Sequence, residues 1–195
     1  MSKNIGANHV EILLESGVKL DIHLHLAKEK IDFWQNNPRR LETGAIKRII
    51  SFLFHYFFGE TRPKIVEEEW ENQIQAFQKL FGKNPDGISS HEHIHFFPAY
   101  FRVIVRLSLK FNIPYIRFGK NSSKEKNNIC LILNTLRRIN YRCFKKSKLN
   151  SSDLMVSFDW IKDFSNFLKN IPTDKKVEII FHPEINREFE ILKKL

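Results

Sequence analysis

Alternating strand and helix patterns place this chain in the α/β class, with a mainly parallel sheet. Three observations predict it. Runs of strand length at 18–26, 87–95, 113–118 and 177–181 are separated by segments of helical periodicity. Glycine and proline punctuation falls between them, as at Gly82 and Asn84-Pro85-Asp86-Gly87. No internal repeat or long linker interrupts the 195 residues, so a single domain is expected over 1–195.

The elements follow in order. Met1 to Leu14 reads as a helix leading into the first strand. There Val18, Leu20, Ile22, Leu24 and Leu26 alternate with Lys19, Asp21, His23 and His25. Both histidines therefore sit on the non-aliphatic face. Ile49 to Phe58 is the most apolar run. It is shorter than the roughly 20 residues a bilayer demands, and reads as a buried helix. Val66, Trp70, Ile74, Phe77 and Phe81 recur at helical spacing, with Glu67, Glu68 and Glu69 in the first turn and Gly82 as cap. Gly87-Ile88-Ser89-Ser90 reads as a strand running into His91, His93 and His95. Pro98 starts a helix striped by Tyr100, Val103, Ile104, Leu107 and Phe111. Ile113 to Phe118 reads as a strand, Lys126 to Lys146 as a helix and Ser151 to Asp153 as a loop. Ser157 to Asn170 reads as a helix, and Val177 to Phe181 as a strand ending at His182-Pro183.

Composition narrows the function classes. The formal charge is +10, but lysine and arginine are spread along the chain rather than gathered in one stripe. A nucleic-acid partner is therefore not expected. Two cysteines, Cys130 and Cys143, give no disulfide framework, which suits a reducing, cytoplasmic compartment. The first residues lack the apolar core of a signal peptide, and no membrane partner is expected.

Three of the eight histidines fall in His91-Glu92-His93-Ile94-His95. Imidazole is the commonest protein metal ligand and a natural proton carrier near neutral pH. On a helix, the stretch would read H-E-x-x-H, a zinc-protease signature. The flanking turn and Pro98 leave no room for that helix. The flanking breakers place His91, His93 and His95 on an extended segment or in the loop just after a strand, with a helix starting near Pro98; on a strand they would share one face. A surface cluster without metal is the plainer alternative. His23, His91 and His182 each fall at or near the C-terminal end of a strand-like segment, where parallel sheets build their sites. His23 has an alternative as an exposed strand residue, and His182-Pro183 as a strand-end turn. His25 reads as structural, and His93 and His95 as groups that shape the pocket or support the ligands from behind. His9 and His55 read as incidental. Asp21 and Asp153 are possible surrogate carboxylates.

Three stretches carry a family resemblance. They are Ile22-His23-Leu24-His25-Leu26-Ala27, then Phe81-Gly82-Lys83-Asn84-Pro85 with Ser90-His91-Glu92-His93-Ile94-His95-Phe96-Phe97-Pro98, then Glu178-Ile179-Ile180-Phe181-His182-Pro183. In order and spacing they resemble the YdjC-like carbohydrate deacetylases, the chitooligosaccharide and hopanoid-associated deacetylases. The resemblance implies a distorted, incomplete (β/α) barrel and a divalent metal, Mg2+ first and Zn2+ as the alternative. It implies removal of acetyl groups from an N-acetylated oligosaccharide, with a possible homo-oligomer. His23 and His91 would be metal ligands, and His182 a catalytic acid or positioning group. The chain departs from the family in two places. The opening strand with its N-A-D-D-F-G motif is not present, and Ser89 stands where the family usually has aspartate. The expectation is a member lacking its N-terminal strands, with little acetate release. A non-catalytic remnant or sugar-binding module is the alternative.

Overall fold

The computed structural model describes residues 7–26, 62–122, 128–182 and 185–193. They divide into two compact units, Met1–Ile116 and Arg117–Leu195. The apolar run at 49–58, with His55, lies outside the described residues.

The first unit runs α1 (Ala7–Glu15), β1 (Asp21–Leu24), α2 (Pro63–Phe81), β2 (Gly87–Ser90), a 3-10 turn (His91–Phe96), α3 (Pro98–Lys110) and β3 (Tyr115–Ile116). Its three strands form a parallel sheet in the order β1-β2-β3. The register sets Ile22 beside Ile88, His23 beside Ser89 and Leu24 beside Ser90.

α2 keeps the apolar stripe its periodicity predicts but starts at Pro63, ahead of Val66, so Glu67, Glu68 and Glu69 lie beyond its first turn. Pro63 occupies the first turn, where a missing N–H costs nothing. Gly82 closes the helix in the left-handed conformation, φ 65°, donating its N–H to the Gln78 carbonyl. Val66, Trp70, Ile74 and Phe77 are buried. α3 begins at Pro98, after Phe97 in extended conformation, and buries Tyr100, Phe101, Val103, Ile104 and Leu107. The Trp70 and Tyr100 rings meet at 6.1 Å. Glu67–Arg106 and Glu71–Lys110 ion pairs join the exposed flanks of these two helices.

A turn fixes where β1 and β2 start. Asp86 Oδ2 accepts the Leu20 N–H at 2.8 Å, and the Asp86 N–H donates to the Leu20 carbonyl at 2.8 Å. Lys83 Nζ lies 2.9 Å from the same carboxylate. The Lys83 hydrogen bond, then the Leu20 N–H, hold the Asp86 carboxyl below its ordinary value of 3.8. A carboxyl depressed on folding stabilises the fold above its unfolded value, and loses that contribution as pH falls through the lower folded value. Asp86→Asn is therefore expected to lower the thermal midpoint at neutral pH. The gap to wild type should close progressively as pH falls below 3.8. Melting curves across pH check this; a gap constant down to the acid limit would contradict it.

The second unit runs β4 (Lys120–Asn121), α4 (Asn128–Ser147), β5 (Leu154–Ser157), a 3-10 turn (Phe158–Trp160), α5 (Phe164–Lys169), β6 (Val177–Ile180) and α6 (Asn186–Leu192). Its sheet is also parallel, in the order β4-β5-β6. Glycine is required at 119. A Cβ there would sit 2.5 Å from Ser152 Oγ and 2.8 Å from the Leu154 carbonyl carbon, closer than packed atoms allow. Phe158, Phe164 and Phe181 form one ring cluster, with centroids 4.9–6.0 Å apart.

The sheets are parallel, as expected. Neither closes on itself among the described residues, so no barrel is seen. Two expectations need correction. The strand expected over Ile113 to Phe118 shortens to Tyr115–Ile116 in the first sheet, and a separate strand beyond it, Lys120–Asn121, belongs to the second. The helix expected from Ser157 shortens to Phe164–Lys169, capped by the Asp163 side chain on the Asn166 N–H at 3.0 Å. Ser157 instead ends β5, where Met155, Val156 and Ser157 are all buried. A strand covered on both faces shows no alternation, so this one reads as an undifferentiated apolar run. No described helix is long and apolar enough to cross a membrane.

Candidate metal centre

The site begins with strand register. His23 is the third residue of β1, and His25 lies one residue past its end. His91 lies one residue past the end of β2. Because Leu24 pairs with Ser90 in parallel register, the next residues on each strand are His25 and His91. Their rings stack at 4.8 Å with planes 26° apart. The His23 ring meets them edge-on, 5.4 Å from His25 and 5.8 Å from His91.

Each of these three residues offers a ring nitrogen, and the three atoms lie within 4.8 Å of one another. Nitrogens bound tetrahedrally to one zinc ion at about 2.0–2.1 Å would sit about 3.3 Å apart. Side-chain rotation of little more than an ångström spans the difference. Three imidazoles with an open face match zinc chemistry. A hard ion such as magnesium prefers oxygen donors. His23 and His25 are exposed and His91 half-buried, which leaves the open side accessible.

Neighbours hold two of these histidines in place. His23 Nδ1 and Ser89 Oγ are hydrogen-bonded at 2.9 Å. Gln73, on α2, clamps the backbone of His25 from both sides. Its Oε1 accepts the His25 N–H at 3.0 Å, and its Nε2 donates to the His25 carbonyl at 2.7 Å. His23, His25, Gln73, Phe77 and Phe81 also line a groove of about 350 Å³.

The histidine stretch itself turns differently from a strand. β2 ends at Ser90, and His91–Phe96 wind as a 3-10 turn. Ser90 Oγ accepts the His95 N–H at 2.9 Å and pairs with His95 Nδ1 at 2.7 Å. Such local side-chain bonds compete with strand geometry. His93 takes a left-handed conformation, φ 55°, which costs a non-glycine residue about 1–2 kcal/mol. Ile94, His95 and Phe96 are consecutively buried, which a strand with one covered face cannot achieve. His91, His93 and His95 therefore do not share a face. His91 joins His23 and His25 in a cluster that could hold a metal ion, and His95 is fully buried against Ser90. The α-helix that a zinc protease needs is not formed by this segment.

The remaining candidates divide. His25, expected to be structural, stands among the possible ligands. Its signal was local, since His23 and His25 share one face of a strand. Asp21 sits at the far end of β1, beside Gly87, where a glycine Cβ would lie 2.5 Å from its Oδ1. It is not among the clustered ligand atoms. Asp153 Oδ2 accepts the Lys176 N–H at 2.9 Å, tying together the residues that precede β5 and β6. His182 follows the end of β6 in the second unit. His9 is exposed on α1.

Comparison with known proteins gives three findings. The sequence profile of a family described as YdjC-like protein matches residues 7–193. A carbohydrate deacetylase of Halalkalibacterium halodurans is 47% identical over 114 residues, 57% of this chain and 47% of that protein. A crystal structure of a candidate cellobiose-phosphate cleavage protein from Enterococcus faecalis V583 aligns over 65% of this chain and 46% of its own. Its identity is 20% and its TM-score 0.42. The chain thus spans about half the length of these relatives.

Proposed function

The chain belongs to the YdjC-like family, and from that premise we propose that it takes part in hydrolysing the acetamide of N-acetylated sugars. The observation that carries the proposal is the meeting of His23, His25 and His91 at adjacent strand ends. In this reading the three imidazoles hold a divalent ion, zinc in preference to magnesium on donor chemistry.

A metal bound there supplies a polarised acetyl carbonyl and a more acidic water. The chain's own groups do the rest. The hydrogen bond between Ser89 Oγ and His23 Nδ1 orients that ring and would leave Nε2 for an ion. Gln73 fixes the height of His25 at the strand end. Phe77 and Phe81 give the groove an apolar wall against which a sugar ring can lie. By the family resemblance alone, His182 is the group that would protonate a departing amine.

One observation favours a second reading. The ligand cluster contains three histidines and no carboxylate among the described residues, so it lacks a built-in base for the attacking water. The second reading is a metal-loaded sugar-binding module that releases no acetate. An acetate-release assay on N-acetylated oligosaccharides, with and without added zinc, separates the two. Zinc-dependent turnover lost in His91→Ala is the result for hydrolysis. Sugar binding without acetate release is the result for the module. Neither sugar binding nor turnover would overturn both.

A further inference from the structure

Among the described residues of the second unit, one carboxyl group is placed for a task that packing does not explain. Glu188 is 2% exposed. A carboxyl group removed from water needs donors, or its burial is costly. Glu188 Oε2 accepts the backbone N–H of His182 and lies 3.6 Å from His182 Nδ1. The His182 ring is 42% exposed, so the pair has one buried and one open member. Local turns build it. The Ile185 N–H donates to the His182 carbonyl at 2.8 Å, and the Glu188 N–H donates to the Ile185 carbonyl at 2.9 Å. The start of α6 is thereby folded back over the end of β6. Arg187, the residue before Glu188, is turned to the Phe158 ring at 5.8 Å and does not take over this pairing.

We infer that Glu188 is a positioning residue for His182: it holds the imidazole as the Nδ1–H tautomer and turns Nε2 outward to exchange protons. A carboxylate behind a histidine does this elsewhere by accepting one ring N–H and fixing the other nitrogen's role. The distance of 3.6 Å is beyond a hydrogen bond and within ion-pair contact. A small ring rotation closes it, and the anchored backbone N–H keeps the ring in reach. The functional part of this inference rests on His182 acting at the leaving nitrogen; the tautomer part does not.

The test reads the tautomer directly. Imidazole 15N shifts of His182 are recorded by NMR under mildly alkaline conditions, in wild type, Glu188→Gln and Glu188→Ala. The expected result is a predominantly Nδ1–H ring in wild type. Glu188→Ala should shift it to predominantly Nε2–H, with Glu188→Gln intermediate because its amide oxygen still accepts. If Glu188→Ala fails to fold, the near-isosteric Glu188→Gln carries the comparison. An Nε2–H ring in wild type, or one unchanged in Glu188→Gln, overturns the inference. That outcome leaves the metal centre untouched, whereas loss of metal binding would sink the hydrolase reading without moving the His182 tautomer. Where acetate release is measurable, Glu188→Gln should lower kcat by about tenfold or more with KM unchanged.

Discussion

Trp70→Ala is expected to cost about 3–5 kcal/mol of folding stability, the range for deleting a fully buried large aromatic. Trp70 is 0% exposed on the core face of α2, among Val66, Ile74 and Phe77, with Tyr100 of α3 opposite. Most domains have only about 5–15 kcal/mol to lose. Its indole Nε1 is buried and makes no hydrogen bond among the described residues. An unsatisfied buried donor already costs about 1–3 kcal/mol. Trp70→Phe, which removes that donor and keeps most of the apolar volume, should therefore cost much less than Trp70→Ala. Chemical denaturation checks both. Equal losses in the two variants would show that the indole nitrogen has a partner, or that this face of α2 is not a packed core.

His91→Ala and His25→Ala are each expected to weaken zinc binding by more than 100-fold. Loss of a residue that only orients a metal ligand costs about 10–100-fold, and loss of a ligand itself costs more. Ser89→Ala should fall within that lower range, because it removes the hydrogen bond to His23 Nδ1 and leaves the three rings. Asp21→Ala should leave affinity unchanged, since Asp21 sits at the other end of β1. Competition with a chromophoric chelator gives all four values. Identical affinities in His25→Ala and wild type would remove His25 from the ligand set and leave only two imidazoles.

Much of this was legible in the sequence, and the failures share a cause. The α2 stripe, its Gly82 cap and the Pro98 start of α3 are local signals, and the structure follows them. So does the exposed–buried alternation of β1, which places His23 outward. The 3-10 turn at His91–Phe96 was not legible. It depends on the Ser90 hydroxyl reaching five residues ahead and on Ile94 and Phe96 finding a core. β5 was hidden because Leu154-Met155-Val156 is too short and too uniformly apolar to show a period. His25 shows a different failure. Its spacing from His23 was plain, but its partner His91 is reached only through the β1–β2 register, which no local pattern announces.

X-ray absorption at the zinc edge of the zinc-loaded 195-residue protein tests the central claim most directly. The expected spectrum shows three imidazole nitrogens around zinc at about 2.0–2.1 Å. Multiple scattering from the rings should fall to two imidazoles in His25→Ala. A shell of oxygen donors with one imidazole or none, or a spectrum identical in wild type and His25→Ala, would contradict it.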